Sequence, residues 1–584
     1  MDDLTLRYYD AEMRYLLEAG EEFARAHPEQ AAMLNLDKAG ARDPYVERLF
    51  EGFAFLMGRL REKLDDDLPE LTEGLVTLLW PHYLRTIPSM SIVEFTPDWR
   101  EMKETLRMAK GFEVISRPIG EKRTRCRYTT TQDIRLQPLA LEQARLTTDH
   151  DGRTVINLRF ACSSLADWRR VDLSQLPLYF NADAPLACAM HEAFTTNVAR
   201  MWLRLPGDTE GRPLDGYFTA LGFGEEDCLW PKGNSSFSGY QLLLEYFTFR
   251  EKFMFTGLHG LEKVDFPAGL AGFDIDVVLE KRWEHEFRFT EKHLRLNCVP
   301  VINLFPLESD PLMLNSLQTE YMLRPMRVQD GHTEIYSVDS VLSSSGHTYV
   351  PFSSFRHKGG MMRHSAPEYY YHTRMRRGPS GLHNTWLILG GEAFDNNTLP
   401  EDENLSLSLT GTNGQLPRRA LQSTVLDTVM KTTSVSVGVR NLSAPTLPCY
   451  PPDRDRFHWR VLSHLKSGFL SMMDNADVLR ETLALYEWTD SEMNRRRLEA
   501  IIDVRHSETE RFEQGHLLRG VQIEVTLSSH GFAGTGDISL FGEMLSRFFA
   551  LYTDIYLFNR LIIILQPTGE RLEWEEKHNR RIPG

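Results

Sequence analysis

The sequence predicts a multidomain α+β protein: a helical N-terminal segment, β-rich middle domains, and a C-terminal α/β region with a long amphipathic helix. Three observations predict it. Apolar residues recur at three-and-four spacing near both ends of the chain. Between about 90 and 450 the texture changes to short runs of β-branched and aromatic residues, broken by clusters of Gly, Pro, Asn and Asp. The length of 584 residues also exceeds what one core fills, since cores stop growing at roughly 250–300 residues. The expected divisions are 1–90, 91–300, 301–450 and 451–584.

Taken in order, Tyr9, Met13, Leu16 and Leu17 place an apolar stripe on a first helix. A second helix starts with Asp43 as N-cap and Pro44 at the first helical position, and runs to about Asp67. The third, after Pro69, ends at Trp80-Pro81, where proline removes a donor and pushes its predecessor out of helical geometry. Met90 to Phe95 and Thr154 to Phe160 read as strands, Pro185 to Val198 as a short helix, and Arg454 to Thr489 returns to helical spacing. A strand is expected at Val521 to Leu527. The last element, Asp537 to Phe558, repeats Ile538, Phe541, Leu545, Phe548, Phe549, Tyr552 and Ile555 along one helical face.

Composition narrows the function classes. With 42% hydrophobic and 11% aromatic residues the chain can offset the entropy of ordering itself. A formal net charge of −16 repels phosphate at long range, so nucleic acid is not the expected partner. The six cysteines, Cys126, Cys162, Cys188, Cys228, Cys298 and Cys449, form no CxxC pair, which fits a reduced compartment and neither a zinc ribbon nor a redox motif. The N-terminus lacks the basic and apolar regions of a secretory signal, so a cytoplasmic protein is expected. Leu561 to Leu565 is far shorter than the ~20 residues of a membrane span and reads as a buried strand. No membrane insertion is expected.

Chemistry-bearing patterns are sparse. There is no GxxxxGK[ST] loop, no strand-borne GxGxxG and no GxSxG elbow. Gly531 to Asp537 precedes the last helix, but Asp537 as N-cap would occupy a leading amide and repel an anion. His285-Glu286 and His191-Glu192 lack the second His of a zinc-binding HExxH. His347, His357, His364 and His372 cluster, yet Lys358 and Arg363 adjoin two of them and disfavour a cation. The run Asp65-Asp66-Asp67 points around a helix axis and does not converge. No catalytic residue, metal site or cofactor is expected. Residues 356–377 interleave Arg356, Lys358, Arg363, Arg374, Arg376 and Arg377 with Tyr369-Tyr370-Tyr371, which suits either a stacked single strand or an acidic protein neighbour.

Several blocks in the first hundred residues occur together: Tyr8-Tyr9 with Glu12 and Tyr15-Leu16, Glu22 to Pro28, Asp43 to Leu56, Leu64 to Glu73, Trp80 to Leu84, and Pro88-Ser89-Met90. In that order and spacing they resemble the N-terminal signature of the TssF (ImpG, VasA) family of type VI secretion baseplate proteins. Phe541 to Tyr552 resembles the family's C-terminal helix, although Ile555-Tyr556-Leu557-Phe558 departs from its usual continuation. The resemblance implies a structural, non-enzymatic subunit, related to wedge proteins of contractile phage tails. It further implies two copies assembling with one TssG, attachment of TssK, and contact with TssE, the VgrG hub and the sheath, at a baseplate docked to the inner membrane complex.

An assembly role calls for exposed amphipathic faces, and two are expected: Tyr9, Met13 and Leu16 near the start, and Phe541, Leu545, Phe548 and Tyr552 near the end. The competing readings are a hydrolase or glycan-active β-domain within 90–450, resting on size and polar aromatics alone, and an oligonucleotide-binding module built on residues 356–377.

Overall fold

The computed structural model describes residues 9, 13, 16, 44–65, 76, 84–208, 210–231, 238–283, 289–315, 318–326, 332–352, 369–378, 383–390, 403–419, 424–430, 435–452, 469–513, 516–552 and 557–578. The chain divides into two compact units. One comprises Met1–Leu79 with Pro452–Lys466, the other Trp80–Pro451 with Ser467–Gly584.

In the first unit, helix α1 spans Pro44–Asp65. It begins on the proline, whose fixed φ and missing N–H suit the first helical position. Tyr9, Met13 and Leu16 are helical and half-buried, and Val76 is helical and buried. The rest of the expected first and third helices lies outside the described residues.

The second unit is β-rich. Strand Met90–Pro97 is buried on both faces except at Thr96, its buried polar residues being paired, Ser91 with the Ser443 carbonyl and Glu94 with Arg440. It lies within a six-stranded sheet, paired antiparallel to Cys298–Ile302 on one side and Val437–Asn441 on the other. Val93, Phe95, Val114, Tyr128 and Val301 fill the core on this sheet. The expected division at 300 falls inside the strand Cys298–Ile302. Thr154–Cys162 pairs with Gly272–Leu279 and Leu139–Thr148 in a second sheet, and Leu176–Phe180 joins Phe255–His259 in a third. An eight-stranded sheet uses strict alternation. Along Asn404–Thr412, Leu405, Leu407 and Leu409 point into a core shared with Tyr371 and Leu387, while Asn404, Ser406 and Ser408 point out.

Helix α2 (Ala184–Thr195) occupies the place predicted for it. Helix α3 (Ser238–Thr248) was not predicted from sequence. Its Leu242, Leu243, Leu244, Tyr246 and Phe247 are buried around the axis, so no amphipathic period separates it from a strand run. Helices α4 (Phe469–Asp474), α5 (Ala476–Ala484) and α6 (Glu492–Glu499) lead into the hairpin Ile501–Glu513 and His516–Ser528. Helix α7 (Thr535–Tyr552) then crosses back to Leu557–Gln566, which runs parallel to His516–Ser528. The helix predicted through Phe558 therefore stops earlier, because Phe558 belongs to the apolar strand Leu557–Gln566 and is 2% exposed. Asp537 sits in the first turn of α7, not at its N-cap.

The region expected to stand apart at 451–584 shares a core with the middle of the chain, since α7 packs on α2 and α3. Two glycines allow α7 its close contacts, Gly536 against α2 and Gly542 against the Trp574 ring of the C-terminal region itself. A Cβ on Gly536 would lie 2.4 Å from the Cys188 carbonyl oxygen, and one on Gly542 would lie 2.1 Å from the Trp574 ring. Replacing a helical glycine by alanine ordinarily gains about 1 kcal/mol, but an immovable backbone contact reverses the sign. Gly536→Ala should lower stability by roughly 1–3 kcal/mol, read as a lower urea midpoint, and an unchanged or higher midpoint would refute this packing.

Candidate assembly surfaces

Helix α1 carries apolar side chains that its own unit leaves in solvent. Tyr45 is 86% exposed, Leu49 71%, Leu56 67% and Phe53 51%. At 3.6 residues per turn these four positions fall within roughly 80° of one another. Ala54, on the opposite side of the helix, is 0% exposed. The helix thus docks by one face and presents an aromatic and aliphatic stripe with the other. Isolated exposed apolar residues are ordinary, whereas a contiguous stripe of this kind marks a contact surface. Sequence reading found the helix but missed the stripe. The available signal was its all-round apolarity, with Tyr45, Leu49, Phe50, Phe53, Phe55 and Leu56 in twelve residues.

Of the residues expected at interfaces, Tyr9, Met13 and Leu16 sit on helical backbone with partial exposure. The C-terminal group differs from expectation. Phe541, Leu545 and Phe548 are 0% exposed, inside the chain's own core. Phe541 packs against Phe532 with ring centroids 5.4 Å apart, and against Tyr246 of α3 at 6.1 Å. Their face is covered from within by α2, α3 and the strand Leu557–Gln566. The side chain of Tyr552 lies outside the described residues.

What fixes α7 is ionic. The Asp537 carboxylate is fully buried and accepts hydrogen bonds from Arg497 of α6 at 3.0 to 3.2 Å, from Arg250 just after α3, and from the Ala533 backbone N–H at 3.1 Å. Burial alone would push this carboxyl up, but the two guanidinium groups outweigh burial and hold it below the ordinary carboxylate range. The sign for stability follows. A depressed folded value contributes fully above the unfolded value of about 3.9 and is lost as pH falls through the folded one. Asp537→Asn should cost on the order of 3–5 kcal/mol near neutral pH, because two buried cations then face each other uncompensated. Between pH 6 and pH 3 the wild-type urea midpoint should fall further than that of the variant; parallel pH profiles would remove Asp537 from this account.

His191, Cys188 and Cys162 are held in unreactive states. His191 on α2 is buried against Phe180, and neither ring nitrogen has a hydrogen-bond partner among the described residues. Burial pushes it down to about 4, leaving it a neutral core ring at physiological pH. Burial likewise pushes the Cys188 thiol up to about 11 and Cys162 up to about 12, so neither supplies a thiolate nucleophile. Among the described residues no group of three or more His, Cys, Asp or Glu is placed to hold a metal ion. His285, Glu286, His357 and His364 lie outside those residues. His347 packs against Tyr369 at 4.8 Å, and His372 lies on the outward side of strand Tyr369–Arg377.

Over residues 1–581 the sequence matches the family described as type VI secretion system, TssF. The chain belongs to the TssF family. It is 27% identical to type VI secretion system component TssF1 of Pseudomonas aeruginosa, an alignment of 623 positions covering all of both proteins. It also resembles a chain in the cryo-electron microscopy structure of the TssK-TssF-TssG baseplate subcomplex, at 59% identity and a TM-score of 0.83, covering 92% of this chain and 100% of that one. A chain of the type VI secretion baseplate complex aligns at 58% identity with a TM-score of 0.72, covering 99% of this chain and 100% of that one. As a TssF-family chain the protein is a structural component of that baseplate. Among the described residues no helix is long and apolar enough to cross a membrane.

Proposed function

We propose that the chain works as a non-enzymatic wedge subunit on the cytoplasmic side of the envelope, assembled with TssG and TssK. The observation that carries this reading is the uncovered stripe on α1, Tyr45, Leu49, Phe53 and Leu56, on a chain 59% identical to one in a solved TssK-TssF-TssG subcomplex. Side chains of that size bury about 1.5–3 kcal/mol each when covered, so the stripe supplies the apolar centre an obligate interface needs. Tyr9, Met13 and Leu16, with their three-and-four spacing and partial exposure, form a second candidate strip for the same contact. By family resemblance the wedge holds two copies of this chain per TssG and meets TssE, the VgrG hub and the sheath, at a baseplate docked to the inner membrane complex.

Co-expression with TssG, followed by native mass measurement, tests the assembly. A stable complex of two copies with one TssG supports the reading, and a well-behaved lone monomer overturns it. Leu49→Asp with Leu56→Asp should abolish co-purification of TssG while leaving the unfolding midpoint of the chain within about 0.5 kcal/mol, as expected of exposed positions. Leu16→Asp should weaken the same co-purification. Retention of TssG by all of these variants would place the contact elsewhere.

A further inference from the structure

The hairpin that joins strands Glu113–Ser116 and Arg127–Thr130 continues past their sheet as an arm, and its register crowds cations. Ile115 pairs with Arg127, and the Ser116 N–H donates to the Cys126 carbonyl at 2.9 Å. The next residues out, Arg117 and Arg125, therefore stand opposite each other as a pair without mutual backbone hydrogen bonds, the kind in which side chains lie closest. In keeping with this, the Arg117 N–H turns outward to the Val425 carbonyl at 2.9 Å. Arg127 lies two residues from Arg125 and shares its face. Three arginines thus line one side of the arm, although like charges directly opposed weaken a strand pair. Beyond them the tip closes through reciprocal backbone bonds between Ile119 and Thr124, at 2.8 and 3.0 Å, around Gly120-Glu121-Lys122-Arg123. Arg123 holds a φ of +51° there, in the left-handed region that glycine occupies at lower cost. An arginine kept in that conformation points to a use for its side chain.

The charges of the arm do not cancel within the chain. Arg127 donates to Glu113 and sits 5.1 Å from the Phe305 ring centroid, and Arg117 donates to Asp427. Those two acids are thereby taken. Arg123 and Arg125 are exposed and make no ion pair among the described residues. A Cβ on Gly120 would lie 3.9 Å from Leu416 Cδ1, so the tip rests on the helical turn Leu416–Arg419, which adds the exposed Arg418. Arg117, Lys122, Arg123, Arg125, Arg127 and Arg418 stand against Glu113, Glu121 and Asp427, six cations to three anions. The result is a net +3 on a chain whose total is −16.

We propose that this arm docks an acidic segment of an unlike neighbour in the assembly, with Arg123 and Arg125 each taking a carboxylate. The proposal rests on the wedge reading above and adds to it a contact made by the second unit. Charge selects the occupant, since an excess of cations left unmatched on an acidic protein is complementary to carboxylates, and the guanidinium fork fits them in a bidentate manner. Residues 117–127 contain no aromatic side chain on which bases could stack, and the net charge repels polyphosphate at long range, so a peptide is favoured over nucleic acid. A second copy would join this patch to a different one, head to tail, and such contacts repeat unless they close into a ring. An unlike chain ends the contact after one step.

The test uses the full chain in its co-expressed complex with TssG and TssK, carrying a photo-crosslinking phenylalanine analogue at position 121 on the exposed tip. The expected adduct joins position 121 to a segment of another subunit in which Asp and Glu outnumber Lys and Arg. Oligoglutamate present during assembly should compete the adduct away, and oligoglutamine should not. Arg123→Gly with Arg125→Gln should cut the adduct yield by roughly tenfold or more, and raising the salt should do the same. The same variant should leave the urea midpoint of the chain unchanged, because glycine suits a left-handed φ and glutamine removes the charge opposed to Arg117. A lowered midpoint would make the two arginines structural and overturn the proposal. So would an adduct with a second copy, an adduct in a segment without excess acid, the lack of any adduct, or a yield indifferent to oligoglutamate, salt and the variant. Crosslinking of position 121 to a labelled oligothymidine, with steep salt dependence, would overturn it in favour of nucleic acid. TssG co-purification through α1 is measured in the same samples, so failure of the wedge reading is seen separately.

Discussion

One buried carboxylate ties together segments that are remote in sequence. Asp537 stands in the first turn of α7 and receives Arg497 from α6 and Arg250 from the turn after α3. The second cation of that turn, Lys252, folds back onto Glu245 of α3, itself held by the Leu229 N–H and the Gln241 amide at 2.9 Å each. Both cations of one short turn are thereby neutralised inside the protein, one toward α7 and one toward α3. Isolated charges at such positions would cost several kcal/mol apiece in lost hydration. The position of α7 follows from the match, and so does the crossover it makes between the parallel strands His516–Ser528 and Leu557–Gln566.

The two units treat apolar surface differently. In the second, the aromatic stripe of α7 is covered by helices and a strand of the same chain, Gly536 lets its backbone close on that of α2, and Gly542 makes room for the Trp574 ring. In the first, α1 buries Ala54 on one side and leaves Tyr45, Leu49, Phe53 and Leu56 uncovered on the other. One polypeptide thus combines a helix covered by its own chain with a helix whose apolar stripe stands in solvent. That division of labour suits a baseplate component, which keeps its shape while its neighbours are added.

Much of the fold could be read in advance because its elements carry strong periods or strong punctuation. The alternation at Thr154–Cys162, the proline start of α1 and the apolar block at 561–565 each report a local preference that tertiary packing did not override. Helix α3 escaped because complete burial erases the period that distinguishes helix from strand. The stripe on α7 was seen correctly and assigned to the wrong neighbour, since periodicity reveals that a face must be covered and never by what. Nothing local could have paired Asp537 with Arg250, 287 positions away. Family membership was legible in the ordered N-terminal blocks, while the exposed face of α1 required knowing which side of the helix its own unit uses.

The span between Arg250 and Asp537 also has a meaning in time. At roughly 5–20 residues per second, a ribosome needs about 15 to 60 seconds to pass from one to the other. Throughout that interval the segments of α2 and α3 lack the helix that covers them, and Arg250 waits for a counterion that Arg497 precedes by only 40 residues. Completion of the core is therefore a late event, set by arrival of the C-terminal segment, and a chain cut short before Thr535 keeps those greasy faces bare for chaperones and proteases to find.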